Sequence, residues 1–195
     1  MKAYYDARAR EYDEWWLGQG LFAEYRPEGW DDERELLERW IAELPPAKTL
    51  DVACGTGFMT RHLRGEVVGL DQSASMLEVA REQAPNHQYV QGDALDLPFE
   101  DGFFDRVFTS YFYCHLEEPD AQRFLAEARR VASELVVVGT VLREGEQRAY
   151  WADRVLNDGS RWQVFKRVFV PEELAQELGG RVLHESHLFV MVAAP

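Results

Sequence analysis

Residues 49–60 read TLDVACGTGFMT, and the run VVGLD that follows closes on Asp71. An apolar stretch holding the acid Asp51 passes into a tight turn of small residues built on Ala53, Gly55 and Gly57. Glycine has no Cβ, so it tolerates positive φ and lets the backbone come close to a ligand. The pattern predicts a strand over Thr49–Val52, then the turn, then a helix starting near Phe58. A second short strand, Glu66–Leu70, delivers Asp71 nearby. A glycine turn beside a strand-end acid suits a nucleoside: the turn lies against its polar tail and the acid takes the ribose hydroxyls.

Working outward, strands and helices alternate. A helix is expected over Ser73–Gln83 with Ser73 as its N-cap, a third strand over His87–Gln91 and a fourth over Arg106–Ser110. A helix over Asp120–Ala132 and a buried fifth strand over Glu134–Thr140 follow. Pro171–Leu178 reads as a short helix stopped by Gly179 and Gly180, and 181–187 and 188–193 as a closing antiparallel pair. The expected fold class is α/β, a doubly wound, mostly parallel seven-stranded sheet with an antiparallel last strand. Ahead of it, Ala3–Leu17 and Asp31–Leu44 read as two helices of a helical N-terminal cap. Gly18, Gly20, Pro27 and Gly29 punctuate their link, and Pro45-Pro46 ends the second. One domain results: cap 1–46, core 47–140, a polar insert 141–170 acting as a partial lid, and a closing unit 171–195.

The 195 residues fit one domain of ordinary size, and no run of about 18 apolar residues offers a membrane span. The N-terminus is charged and aromatic with no apolar signal core, so a cytoplasmic protein is expected, as a monomer or homodimer. A formal net charge of −14 argues against nucleic acid as a partner. Arg123, Arg129, Arg130 and Arg143 read as a solvated face rather than a basic patch. The two cysteines, Cys54 and Cys114, lack Cys-x-x-Cys spacing, so no metal site is expected and both read as packing residues.

Three segments in order, LDVACGTG (50–57), VVGLDQSASMLEVAR (67–81) and QGDALDLPFEDGFFDRVFTSY (91–111), resemble the motifs of the Rossmann-like (class I) S-adenosylmethionine-dependent methyltransferases. YDARAREYDEWW (5–16) is similar to the N-terminal helix of that family's small-molecule branch, methyltransferase type 11, which includes ubiquinone- and menaquinone-type enzymes. GGRVLHESHLFVMVAAP (179–195) resembles its last two strands. The resemblance implies S-adenosylmethionine as cofactor, S-adenosylhomocysteine as product and a small-molecule methyl acceptor. It places Asp51 and the turn Ala53, Cys54, Gly55 and Gly57 at the methionine part, and Asp71 on the ribose hydroxyls. Gln72 and Met76 would flank ribose and adenine. Asp93 would accept from the adenine amine, with Ala94 and Leu95 on the ring. Thr109, Ser110 and Tyr111 would lie beneath the sulfonium. Ala53 departs from the pattern, which often has glycine there; a slightly altered turn is expected.

Tyr5 and Tyr12 are candidates to lid the cofactor, since aromatic rings attract a sulfonium; Trp15, Trp16 and Trp40 read as packing against the sheet. His115, in YFYCHLEEPD, is a candidate base and Tyr111 a second catalytic candidate, although methyl transfer needs a base only when the acceptor carries a proton. Tyr150, Trp151, Arg154 and Trp162 of the insert are expected on the acceptor side. Two other readings use the same turn: a nicotinamide-dependent oxidoreductase, weakened because Thr60 replaces the third glycine of GxGxxG, and a non-catalytic S-adenosylmethionine binder.

Overall fold

The computed structural model describes residues 1–23 and 26–195; part of the link between the cap helices, 24–25, lies outside the described residues. The strands are β1 (Ala47–Val52), β2 (Gly65–Asp71), β3 (Gln88–Gln91), β4 (Phe104–Ser110), β5 (Ala132–Thr140), β6 (Ala149–Val155), β7 (Arg161–Arg167), β8 (Arg181–Glu185) and β9 (Phe189–Ala194). The α-helices are α1 (Lys2–Arg8), α2 (Tyr12–Leu17), α3 (Trp30–Glu43), α4 (Ala74–Gln83), α5 (Asp120–Val131) and α6 (Pro171–Leu178).

Seven strands form one sheet in the order β3-β2-β1-β4-β5-β9-β8. Pairings are parallel except those of β9, which runs antiparallel to both β5 and β8. This is the expected α/β sheet. The chain order reverses between β1 and β4, and the crevice at the carboxyl ends of such strands is where open α/β folds bind ligands. Both faces are covered. One carries Leu50, Val107, Phe124, Leu135 and Leu178; the other carries Leu37, Ile41, Phe108, Val136 and Met191. That double burial explains why β5 is nearly continuous in Val and Leu.

Three expectations are corrected. No α-helix follows Gly57: residues 58–64 hold a single 3₁₀ turn, Thr60–His62. The chain must travel back along β1 to begin β2, about 20 Å for a six-residue strand, and seven helical residues rise only about 10 Å. The segment runs stretched instead, with Phe58, Met59 and Leu63 buried under the cap. The first cap helix is broken in two at residues 9–11. Tertiary bonds pull the halves to different places: Asp6 accepts from Ser73 Oγ (2.6 Å) on the α4 side, while Asp13 accepts from Thr56 Oγ1 (2.6 Å) at the glycine turn. Finally, the polar insert contains an antiparallel hairpin, β6 with β7. Its turn, Asn157-Asp158-Gly159-Ser160, has Gly159 at φ 83°, a turn signal present in the sequence.

The cap packs by its aromatic residues, as expected for Trp15, Trp16 and Trp40. Trp16 stacks on Phe58 with centroids 5.4 Å apart and meets Tyr111 edge-on at 5.1 Å. Trp40 stacks on His184. The arginines 129, 130 and 143 are occupied at the surface: Arg129 donates to the Leu178 carbonyl, Arg130 pairs with Glu127 and Asp101, and Arg143 pairs with Glu146.

Candidate active site

The turn after β1 has three residues in the left-handed region, Ala53 (φ 59°), Gly55 (φ 56°) and Gly57 (φ 77°). It is tied to β2 by Cys54 N–H donating to the Leu70 carbonyl (3.0 Å) and Gly55 N–H donating to Asp71 Oδ2 (3.0 Å). The other oxygen of Asp71 accepts from Ser73 N–H (2.8 Å). The carboxylate of Asp71 is thereby held at the end of β2, in the lining of the crevice. Burial raises its pKa, and the bonds from Ser73 and Gly55 oppose that rise. Ser73 caps α4 as expected, accepting from Met76 N–H (3.2 Å).

A cleft of about 310 Å³ opens on this constellation. Of the residues singled out in the sequence, Tyr5, Tyr12, Ala53, Gly55, Asp71, Gln72, Met76, Asp93, Ala94, Leu95, Ser110, Tyr111 and His115 line it. Asp93 sits past β3, its Oδ1 accepting from Leu95 N–H (2.9 Å), which fixes the turn carrying Ala94 and Leu95. Met1, Phe112, Leu116, Glu117 and Asp120 also line the cleft, as do Trp151 and Phe165 of the hairpin. Phe112, Leu116 and Glu117, past β4, follow from topology alone, since the segment after a central strand must cross the sheet edge there; no sequence pattern distinguished them.

Four cofactor-site candidates lie outside that lining, as do Tyr150, Arg154 and Trp162 of the insert. Asp51 is 2 % exposed and accepts from Thr60 Oγ1 (2.6 Å); burial pushes its carboxyl up to about 7. It buttresses the turn from behind. Thr109 is fully buried and donates to the Val52 carbonyl (2.8 Å), locking β4 to the end of β1. Cys54 packs its Sγ against Gly69, where a Cβ would come within 2.9 Å of it. Gly57 is pressed on α4, where a Cβ would meet Ala80 at 3.4 Å.

The two catalytic candidates have definite electrostatics. His115 Nδ1 lies 2.7 Å from the Phe165 carbonyl, which only accepts, so Nδ1 carries the hydrogen and Nε2 the lone pair. Burial pushes its pKa down to about 4, so the ring is neutral near pH 7 and a weak base. Tyr111, at φ 60°, turns its ring into the Trp15–Trp16–Phe189 cluster, and its hydroxyl has no hydrogen-bond partner among the described residues. Burial pushes this phenol well up, as it does those of Tyr5 and Tyr12. Cys114 is buried beside His115 with its thiol pushed up to about 11, a packing residue. Among the described residues no group of three or more His, Cys, Asp or Glu side chains is arranged to hold a metal. No helix of the described residues is long and apolar enough to cross a membrane.

Residues 50–135 match the model of the methyltransferase domain family. The demethylmenaquinone methyltransferase of Thermotoga maritima is 37% identical over 103 residues, 50% of this chain and 44% of that protein. The 2-phytyl-1,4-naphtoquinone methyltransferase of Trichormus variabilis is 32% identical over 145 residues, 67% of this chain and 59% of that one. The chain thus spans about half the length of the curated relatives it matches. Among solved structures, the DhpI-SAM-HEP complex superposes with a TM-score of 0.77 at 26% identity, covering 99% of this chain and 95% of that one.

Proposed function

We propose, for a chain that carries a methyltransferase domain of the class I kind over residues 50–135, that it is an S-adenosylmethionine-dependent methyltransferase acting on a small molecule. The observation that supports this reading best is the turn at 53–57 facing Asp71 without a helix behind it. A dinucleotide site places its diphosphate on the N-terminus of the helix that follows the glycine turn. Here that helix is replaced by one 3₁₀ turn, which removes the diphosphate seat and weighs against a nicotinamide cofactor. A nucleoside with an amino-acid tail and no phosphate needs no such seat. The cleft's size and donor set fit it: a strand-end carboxylate, a second carboxylate at Asp93, and apolar surfaces from Met76, Ala94 and Leu95.

In this reading Asp71 holds the ribose hydroxyls, Asp93 the adenine amine, and the backbone at Ala53–Gly55 the amino-acid tail. When bound, the cofactor supplies a methyl group on a sulfonium, which the acceptor takes along the line of the breaking C–S bond. The protein's own contribution is placement and exclusion of water. Tyr5 and Tyr12 roof the cleft, their rings 6.4 Å apart, and the bonds from Asp6 to Ser73 and from Asp13 to Thr56 hold the roof down. Uncharged phenol faces there also favour a cationic sulfur. The lone pair on His115 Nε2 orients an acceptor O–H or N–H and receives its proton only transiently. Tyr111 shapes the floor. A cytoplasmic location belongs to the same proposal, in keeping with two free thiols.

The test is release of S-adenosylhomocysteine on incubation with S-adenosylmethionine and a panel of small quinols, hydroxy acids and amines. Acceptor-dependent release supports the reading; binding of the cofactor with no release from any acceptor class favours a non-catalytic binder.

A further inference from the structure

The chain carries a formal net charge of −14, yet behind Tyr5 and His115 lies a second, smaller cavity of about 40 Å³ with cationic walls. Arg8 from α1, Arg154 from β6 and Lys166 from β7 converge on it, with Tyr4, Tyr12 and His115 completing the polar wall. Among the described residues no carboxylate lines it. Arg8 is only 7 % exposed; one of its terminal nitrogens donates to Tyr4 Oη (2.7 Å), and its Nε has no partner among the described residues. Its guanidinium lies 4.7 Å from the centre of the Tyr12 ring. Arg154 donates to the carbonyl of its own neighbour, Asp153. Among the described residues none of the three cations has a carboxylate within ion-pairing distance, while Arg10, Arg26, Arg130 and Arg167 elsewhere do.

We propose that this cavity seats an anionic group of the methyl acceptor, a compact oxyanion of the carboxylate or phospho class. The proposal rests on the methyltransferase reading and gives it a substrate class. Gathering one buried and two half-buried cations without an ion-paired carboxylate is a desolvation and repulsion cost that an incoming anion offsets. Burial lowers the pKa of Lys166; Arg154 and Arg8 add to the fall, while Cys114 and Glu146 oppose it. The volume holds a few non-hydrogen atoms, the size of a carboxylate or phospho group. The fork of Arg8 and the amine of Lys166 supply the charge-assisted donors such a group takes. Position relates the cavity to the chemistry: Tyr5, Tyr12, Tyr111 and His115 line both it and the larger cleft. An acceptor anchored by its anion therefore extends between these residues toward the methyl-donor site. The hairpin that supplies two of the three cations is thus a specificity element, not only a cover.

The test is calorimetric titration of the full chain, with and without saturating S-adenosylhomocysteine, using inorganic phosphate, acetate and neutral acetamide at low ionic strength. At least one anion binds and acetamide does not; phosphate alone marks a phospho acceptor and acetate alone a carboxylate. Arg8→Gln and Lys166→Gln each weaken the anion at least tenfold, with S-adenosylhomocysteine affinity unchanged within twofold. If Arg8→Gln does not fold, Arg154→Gln and Lys166→Gln decide. Failure of both anions to bind the wild-type chain, or equal binding to the variants, overturns the proposal. Anion binding by a chain that does not bind S-adenosylhomocysteine leaves the anion site standing and contradicts the methyltransferase reading instead.

Discussion

The carboxylate of Asp71, the last residue of β2, accepts the backbone N–H of Gly55 at 3.0 Å, so the strand-end acid and the glycine turn are one rigid unit. Neither is placed without the other. A ligand reading both ends of a nucleoside finds its two recognition elements at a fixed separation.

Removing that carboxylate tests the unit. Asp71→Ala weakens S-adenosylmethionine binding by about 1.5–3 kcal/mol, the range for hydrogen bonds to a charged group. Titration calorimetry reads the loss, and a thermal melt in parallel separates it from any loosening of the turn. Unchanged affinity in a folded variant removes the ribose assignment.

Ala53 sits in the left-handed region, where a Cβ crowds the backbone by about 1–2 kcal/mol and glycine does not. Ala53→Gly is therefore expected to stabilise the chain by up to about 1 kcal/mol, once the extra freedom of glycine in the unfolded chain is subtracted. Urea unfolding of the two proteins measures it. The turn carries alanine in the left-handed region at a cost in stability.

The buried Asp51 links stability to pH. Its folded pKa, about 7, lies above the unfolded carboxylate value, so the folded state holds the proton between about pH 4 and pH 7 where the unfolded chain has lost it. Its contribution is fully present below about pH 4 and is lost as pH rises through 7. Asp51→Asn keeps an acceptor for Thr60 and has no proton to lose. Denaturant unfolding at pH 5 and pH 8 is expected to show the wild type losing up to about 2.6 kcal/mol more than the variant over that interval.

His115 gives a kinetic prediction. With its pKa near 4, the ring is not the group that titrates at the ordinary histidine value of about 6.5. His115→Gln lowers kcat, leaves cofactor affinity unchanged, and leaves the shape of the kcat/KM profile between pH 6 and 8 as it was. An inflection near 6.5 in the wild type that disappears in the variant would instead show His115 titrating at the ordinary histidine value and contradict its lowered pKa.

The strand-end logic was legible because it is local. β1, β2 and β4 are short apolar runs bounded by turn residues, and β2 and β4 end on polar groups that line the crevice, Asp71 and Ser110. Helix α4 was legible from its cap, Ser73. What escaped depends on distance through space. The missing helix after Gly57 follows from the span its seven residues must cover. The break at residues 9–11 follows from bonds made to Thr56 and Ser73, far along the chain. The backing roles of Asp51 and Thr109 depend on which way alternate strand residues point, and a strand buried on both faces leaves no polar–apolar alternation to show it. The hairpin β6–β7 hides for the opposite reason: most of its residues are exposed or half-buried, with Ala152 and Val164 as its buried centre. The convergence of Arg8, Arg154 and Lys166 joins residues from both ends of the chain, so no motif announces it.

The most direct measurement is calorimetric titration of the purified chain with S-adenosylmethionine, S-adenosylhomocysteine and NAD in parallel. Micromolar binding of the first two with none of NAD is the predicted result, because the cleft offers a strand-end acid and a glycine turn but no helix N-terminus for a diphosphate. Binding of NAD, with neither of the other two, contradicts the account at its centre.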